Sequence, residues 1–285
     1  MTHEVPVAHD LNGLVSRLQR KELAVGAWVQ VGDYLTARRV GDSAADFAIV
    51  DMEHLGFSLP DLGQTLQWMI SRRRPGTPVA ATPIVRVPAN GAERNQWIYK
   101  QVLDYGAFGV IAPQVRTVDD IACAASAMRY PASVEGGPEG VRGAFPDQAA
   151  RYWGMAKTAD YLSLADLWPL SPSGQLMLII LVEHVEAWNA IDELVQAPGV
   201  GAVFWGPGDG SMSLGYRDND PTNPQLDRYK ERVIAACKNH GVAVGQPGVG
   251  DPFRSVDEGF DFFGLPGYAD ADLVRRLRDH YAQRP

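Results

Sequence analysis

The sequence predicts a single (β/α)8 barrel, a TIM barrel, spanning residues 1–285. A chain of 285 residues has the length typical of this fold. Short apolar runs alternate with amphipathic segments, and eight such pairs can be counted along the chain. The most apolar run, Met177–Val182, has no polar residue before Glu183, which is typical of a strand buried on both faces of a parallel sheet.

The predicted elements begin with an extra helix at 9–23, where apolar residues recur on one face. Apolar and β-branched runs predict eight strands, at 24–31, 47–54, 82–88, 109–115, 176–183, 201–208, 242–248 and 260–267. The helices that follow these strands are predicted at 34–43, 59–74, 95–105, from Thr117, 186–197, 224–240, 252–259 and 271–283. Thr117 and Asp120 have the spacing of a capping box.

One stretch, 130–172, breaks this alternation before the fifth strand. It is rich in Gly and Pro, has one short helical piece, and is longer than the roughly 12–15 residues usual between elements. We expect this insertion to form a wall of the active site or a subunit interface. Its cationic and aromatic residues could receive an acidic or bulky acceptor, and subunit packing is the alternative role for the aromatic ones. These residues are Arg142, Phe145, Arg151, Tyr152 and Trp153.

Composition narrows the classes of partner. A net charge of −8 and a pI near 5.2 argue against nucleic acid and against anionic membrane surfaces. The N-terminus does not resemble a signal peptide, and no apolar run approaches the ~20 residues needed to span a bilayer. Cys123 and Cys237 lie in helical patterns and are interpreted as buried thiols, so a cytoplasmic location is expected.

Two acidic residues end neighbouring predicted strands. Barrels of this class carry their chemistry at the C-terminal ends of the strands. Glu183 and Asp209 would therefore meet there, and together they suit a hard divalent cation, which prefers oxygen ligands and keeps positions open for substrate. The alternative is that each carboxylate caps the helix that follows it.

Arg86, His54 and Asp51 are the candidate catalytic residues at the same ends. Arg86 could donate to the keto oxygen of a 2-oxo acid and stabilise an enolate, or it could form a buried ion pair. His54 could move a proton, with Asp51 or Glu53 holding its tautomer, or it could be a supporting histidine.

Substrate contacts are predicted from the same end of the barrel. Backbone N–H groups around Gly208 and Asp209 could bind a carboxylate. The other candidates for substrate binding are Arg86, Gln114 and Arg142.

The motifs as a set resemble the HpcH/HpaI family of class II pyruvate aldolases, which includes macrophomate synthase. They are VDMEH (50–54), PIVRVP (83–88), GAFGVIAPQV (106–115) and FWGPGDGSMSLG (204–215), and the resemblance extends from about residue 23 to 270. It implies a metal-dependent aldolase that cleaves 4-hydroxy-2-oxo acids to pyruvate and an aldehyde through an enolate, with oxaloacetate decarboxylation as a side activity. It also implies a homo-oligomer, a hexamer or trimer.

The resemblance assigns roles to particular residues. It implies that Glu183 and Asp209 bind Mg, Mn or Co and that Arg86 binds the keto oxygen. It implies that His54 is paired with Asp51 for proton transfer through water. Main-chain N–H groups near Gly208 and Asp209 would hold the substrate carboxylate.

Two departures from the family pattern concern the same region. Leu181 stands where the family usually has Gln, and Gly210 follows Asp209 where Leu or Met is usual. A change at position 181 would alter the handling of the 2-oxo acid. The alternatives to an aldolase are an acyl-CoA lyase of the citrate-lyase β type and a barrel that binds a ligand without catalysis.

Overall fold

The computed structural model describes residues 11–70, 81–88, 94–131, 136–217, 220, 223–248 and 250–284. Its centre is a closed barrel of parallel strands. The strands are β1 (Ala24–Gln30), β2 (Phe47–Asp51), β3 (Thr82–Arg86), β4 (Gly109–Ala112), β5 (Leu167–Trp168), β6 (Leu176–Val182), β7 (Val200–Trp205), β8 (Ala243–Gln246) and β9 (Phe262–Leu265). Eight of them form the barrel in the order β4-β3-β2-β1-β9-β8-β7-β6, and pairing of β4 with β6 closes it. The predicted (β/α)8 barrel is confirmed.

Helices surround this barrel. Their bounds are α1 (Gly13–Gln19), α2 (Tyr34–Gly41), α3 (Leu59–Met69), α4 (Gln96–Asp104), α5 (Val118–Met128), α6 (Asp147–Tyr152), α7 (Thr158–Leu164), α8 (Val185–Asn189), α9 (Ile191–Leu194), α10 (Pro207–Ser213), α11 (Asp227–His240), α12 (Pro252–Glu258) and α13 (Ala271–Ala282). A 3-10 turn, Pro224–Leu226, precedes α11. The predicted start of the first helix, at residue 9, lies outside the described residues.

Local sequence explains these elements well. All seven residues of β6 are buried, as its uninterrupted apolar run predicts. The predicted capping box is present at α5, where the Thr117 and Asp120 side chains each accept from the other's backbone N–H. Among the described residues, no helix is both long enough and apolar enough to cross a bilayer.

Strands end earlier than predicted on the side that carries the chemistry. β2 stops at Asp51, so Glu53 and His54 belong to the loop that follows it. β7 stops at Trp205, and Gly208 and Asp209 lie in the first turn of α10, with Pro207 at its start. Proline sets a helical φ, and this explains why a helix begins where a tight turn was expected.

The insertion lies at the opposite end of the barrel from the C-terminal strand ends. It connects the end of α5 to the start of β6, and a helix-to-strand connection of this fold lies at the N-terminal end. Trp153 stacks flat on Phe108, just before β4, with ring centroids 4.0 Å apart. The indole Nε1 of Trp153 donates to the Gly106 carbonyl at 3.0 Å. The described part of the insertion therefore lies away from the C-terminal strand ends of its own barrel, and its role at an active site or a subunit interface stays a prediction.

Candidate active site

A rigid arginine lies at the C-terminal ends of β2 and β3. Asp51 and Arg86 are partners in the parallel register of these strands. Arg86 donates from Nε to Oδ1 of Asp51 at 2.8 Å and from Nη2 to Oδ2 at 2.7 Å. The Trp28 ring lies 4.9 Å from the guanidinium carbon. These contacts hold Arg86 in one orientation and use two of the five N–H donors of a guanidinium, so others remain for a substrate oxygen.

The carboxylate of Glu53 lies between Arg86 and His54. The Glu53 side chain is only 5% exposed, and its Oε2 lies 3.3 Å from Arg86 Nη1 and 3.4 Å from His54 Nε2. This oxygen makes no hydrogen bond with the described residues. His54 itself is 58% exposed, so its ring is accessible to a substrate.

The expected pairing of His54 with Asp51 is absent from the structure. Both Asp51 oxygens accept from Arg86, and Oδ1 also accepts from the backbone N–H of Glu53 at 3.1 Å. His54 instead has Glu53 beside it. The sequence analysis named Glu53 as the alternative to Asp51 in this role, and two-residue alternation after β2 is consistent with residues 51 and 53 lying on the same face.

Glu183 lies buried one residue beyond β6. Its side chain and backbone together are 4% exposed, and its Oε1 accepts from the backbone N–H of Gln114 at 2.8 Å. Burial raises the pKa of Glu183 to about 8, assisted by the negative charges of Glu53 and Asp209. The amide of Gln114 and the charge of Arg86 act in the opposite direction on this pKa.

Asp209 is the fourth carboxylate at this end of the barrel. It lies in α10 and is exposed. Burial also raises the pKa of Glu53, and the charges of Asp51 and Asp209 add to this effect against those of Arg86 and His54. Arg86 is a permanently charged neighbour of three of these carboxyl groups, those of residues 51, 53 and 183.

This donor set fits a hard divalent cation. Glu183 and Asp209 offer carboxylate oxygens, the excess of acidic groups favours a cation, and the buried Glu53 oxygen lacks a hydrogen-bond partner. In the described part of the chain, no three His, Cys, Asp or Glu side chains converge as a ready-made metal cage. Two carboxylates are sufficient for Mg²⁺, which usually keeps several positions for water and substrate.

Below these polar groups the barrel is lined by apolar side chains. Leu181 faces the same side of β6 as Glu183, since a Cβ placed on Gly206 would lie 3.0 Å from Leu181 Cδ1 and 2.6 Å from Glu183 Cβ. Leu181 is buried and pairs in register with Phe204, whose ring contacts Trp28. The position that departs from the family pattern is therefore part of an apolar floor under Glu183.

Arg142 does not belong to this site. Its buried guanidinium donates to Asp104 at 2.8 Å and to the Tyr161 hydroxyl at 2.9 Å, and it lies over the Tyr130 ring. Asp104 ends α4, at the N-terminal end of the barrel, because each helix runs back from the C-terminal strand ends. The prediction that Arg142 binds substrate is wrong because the insertion carries it to the other end of the molecule.

Gln114 is present at the site but contributes differently from the prediction. Its backbone N–H binds Glu183, whereas its side-chain oxygen accepts from Arg116 Nη2 at 3.3 Å. The remaining predicted residues, Arg86, Glu183, Asp209, Gly208, Asp51 and His54, all lie at the C-terminal ends of β2, β3, β6 and β7.

Known proteins resemble this chain in sequence and in fold. Residues 25–247 match the family model described as HpcH/HpaI aldolase/citrate lyase. A hydroxypyruvate/pyruvate aldolase of Paraburkholderia phytofirmans is 28% identical over 94% of this chain and 94% of its own. A 2-keto-3-deoxy-L-rhamnonate aldolase of Shigella sonnei is 33% identical over 82% of this chain and 78% of its own.

Solved structures agree with these sequence matches. A HpcH/HpaI aldolase/citrate lyase family protein from Burkholderia cenocepacia has a TM-score of 0.75 and 29% identity, covering 95% of this chain and 98% of its own. Macrophomate synthase shares the fold with a TM-score of 0.65 at 20% identity, covering 95% of this chain and 88% of its own. The chain belongs to the HpcH/HpaI aldolase/citrate lyase family and is a carbon–carbon lyase of the aldolase type.

Proposed function

We propose that this protein is a divalent-metal-dependent aldolase that cleaves 4-hydroxy-2-oxo acids to pyruvate and an aldehyde through an enolate. The observation that supports this most directly is the rigid Arg86 guanidinium among carboxylates at the C-terminal strand ends. A fixed cation of this kind stabilises negative charge that develops on a substrate oxygen.

The metal would be held by Glu183 and Asp209, and Mg, Mn and Co are the candidates. A divalent cation there supplies Lewis-acid polarisation of the keto oxygen of the substrate. The backbone N–H groups of Gly208 and Asp209, which lie in the first turn of α10, would receive the substrate carboxylate.

His54 is the proposed base. In the cleavage direction it accepts the proton of the C4 hydroxyl, either directly or through one water molecule. The C3–C4 bond then breaks, the aldehyde departs, and the electron pair moves toward C2 and its oxygen, where Arg86 donates to the enolate. Return of a proton to C3 gives pyruvate. Oxaloacetate decarboxylation should produce the same enolate, with CO₂ as the leaving group.

The relatives suggest which donors to test first. One acts on hydroxypyruvate and pyruvate and another on 2-keto-3-deoxy-L-rhamnonate, as their names state. We propose pyruvate as the donor of this protein, because the apolar Leu181 offers no hydrogen bond to a hydroxyl on C3. The family resemblance also supports a homo-oligomer, a trimer or hexamer, which sedimentation velocity would test.

The proposed donor chemistry is tested by exchange of the C3 protons of pyruvate in D₂O. The protein is treated with a chelator, and exchange is followed by NMR before and after addition of Mg, Mn or Co. We expect exchange only with metal, and its loss in Glu183→Gln and Asp209→Asn. Absence of exchange with all three metals would contradict the enolate assignment and would favour an acyl-CoA lyase or a binding barrel.

A further inference from the structure

The backbone of Gln114 has a conformation that side-chain-bearing residues rarely adopt. Its φ is +58°, in the left-handed region, where Gly is favoured and β-branched residues are outliers. Only two other non-glycine residues in the described ranges have positive φ, Lys21 and Arg94, and neither hydrogen-bonds to a site carboxylate. Such backbone outliers are concentrated at functional sites.

In this conformation the backbone N–H of Gln114 points toward Glu183. The ladder between β4 and β6 ends with Ala112 opposite Ile180, so the N–H of Gln114 is beyond the ladder and is not needed by it. That N–H donates to Glu183 Oε1 at 2.8 Å. The Gln114 side chain is engaged with Arg116, so the main chain supplies the contact with Glu183.

A glycine packs against the other side of the same carboxylate. A Cβ on Gly206 would lie 2.6 Å from Glu183 Cβ and 3.1 Å from Glu183 Oε2, closer than unstrained packing allows. Glu183 is therefore enclosed by a main-chain amide on one oxygen and by a bare Cα near the other. Both contacts leave only one position for a carboxylate that is almost completely buried.

We propose that Gln114 is a positioning residue whose main-chain amide, together with the bare Cα of Gly206, holds the Glu183 carboxylate in place for a divalent cation. The Gln114 side chain is not required for this role. The inference rests on the proposed metal site and adds the groups that orient one of its ligands.

The test compares three substitutions at position 114 that separate side chain from backbone. Gln114→Gly and Gln114→Ala remove the amide side chain, keep the N–H, and tolerate positive φ as well as or better than Gln does. Gln114→Val keeps the N–H but resists the left-handed conformation. Mn²⁺ affinity is measured by calorimetry and the symmetry of the bound ion by its EPR spectrum. We expect the Mn²⁺ affinity of the Gly and Ala variants to be within about threefold of wild type. The Val variant should bind Mn²⁺ at least about tenfold more weakly and give an altered EPR spectrum.

A second pair of variants tests the glycine. Gly206→Ala should weaken Mn²⁺ binding by about tenfold or more, whereas Gly143→Ala, where a Cβ would meet nothing within 4 Å, should not change it. Circular dichroism confirms that each variant is folded. If Gln114→Val does not fold, Gln114→Gly still tests whether the side chain is required, and Gly206→Ala still tests whether the position of the Glu183 carboxylate matters.

The outcomes separate the two proposals. Loss of Mn²⁺ affinity in Gln114→Gly would overturn the positioning role. It would show that the Gln114 side chain itself takes part in substrate or metal binding. Unchanged affinity in both Gln114→Val and Gly206→Ala would also overturn it, while leaving the metal site intact. A wild-type protein that binds no Mn²⁺ would refute the metal assignment and, with it, the positioning role.

Discussion

Two arginines of this chain show how surroundings decide what a guanidinium does. Arg86 is 15% exposed at the C-terminal strand ends, where Asp51 neutralises it and fixes its orientation but leaves N–H donors unused. Arg142 is fully buried at the opposite end and is paired with Asp104, Tyr161 and the Tyr130 ring. We therefore expect the first arginine to affect catalysis and the second to affect stability.

Substitution of these two arginines should separate turnover from folding. Arg86→Ala should lower kcat/KM for aldol cleavage by about 10²–10³-fold, as loss of one oxyanion donor does, with little change in Mn²⁺ affinity. Arg142→Ala should lower the free energy of unfolding by roughly 3–5 kcal/mol, since it leaves a partner charge without compensation. Steady-state kinetics and urea denaturation of both variants provide the comparison. A catalytic loss in folded Arg142→Ala as large as that in Arg86→Ala would contradict the assignment.

His54 is expected to act on one reaction more than on another. His54→Ala should slow aldol cleavage by about 10²–10⁴-fold, because cleavage requires removal of a hydroxyl proton. Oxaloacetate decarboxylation has no such proton and should be affected much less. The ratio of the two rates is the measurement, and His240→Ala on α11 is the control. Equal losses in both reactions would mean that His54 supports the structure rather than moving a proton.

At the scale of elements, the insertion packs beside the N-terminal end of β4. Trp153, at the end of α6, is 3% exposed and stacks on Phe108, while its indole N–H satisfies a backbone carbonyl. Helix-to-strand connections of a TIM barrel carry residues for stability rather than catalysis. The insertion is therefore expected to contribute to folding, and an additional role as a subunit interface stays a prediction.

Removal of the Trp153 side chain tests this role. Trp153→Ala should lower the free energy of unfolding by about 3–5 kcal/mol through loss of buried area and creation of a cavity. Trp68→Ala removes the same side chain from a position that is 47% exposed, so its cost should be much smaller. Urea denaturation midpoints and slopes measure both. Comparable costs for the two tryptophans would argue against a stabilising role for the packing of Trp153.

At the scale of the whole molecule, acidic groups converge on one end of the barrel. Because burial and neighbouring charge raise the pKa of Glu183 from 4.5 to about 8, the metal-free folded state retains a proton there that the unfolded state has lost. Stability falls with rising pH wherever the folded state binds more protons than the unfolded state. The contribution of Glu183 is therefore fully present below about pH 4.5 and is lost as the pH rises to about 8.

This linkage gives a pH-dependent prediction. In the presence of a chelator, the stability of wild type relative to Glu183→Gln should fall between pH 4.5 and 8, because the amide does not titrate. Saturating Mn²⁺ should oppose this fall, since a cation binds the ionised carboxylate. Thermal melting temperatures across this pH range measure the difference, with the exposed Glu193→Gln as control. A difference that does not vary with pH would show that Glu183 is ionised throughout.

Much of the site could be predicted because its signals are local. Arg86, Glu183 and Asp209 each follow an apolar run, and parallel strands bring their C-terminal ends together whatever the detail of packing. The same reasoning named Glu53 beside Asp51 as a possible partner of His54, and the structure decided between them. The placement of the insertion could also have been deduced, because it follows a helix and precedes a strand.

The sequence by itself determined the barrel and the residue types that meet at the C-terminal side of its strands, because periodicity and apolar runs act over a few residues. Only the tertiary structure decided which partner each polar group takes. Asp51 binds Arg86 across 35 positions of sequence, and the Gln114 amide reaches Glu183 across 69. Such contacts depend on strand register and backbone dihedral angles, which local patterns do not specify. They establish which carboxylate is held rigid, which lies beside His54 and which arginine lies at the C-terminal strand ends.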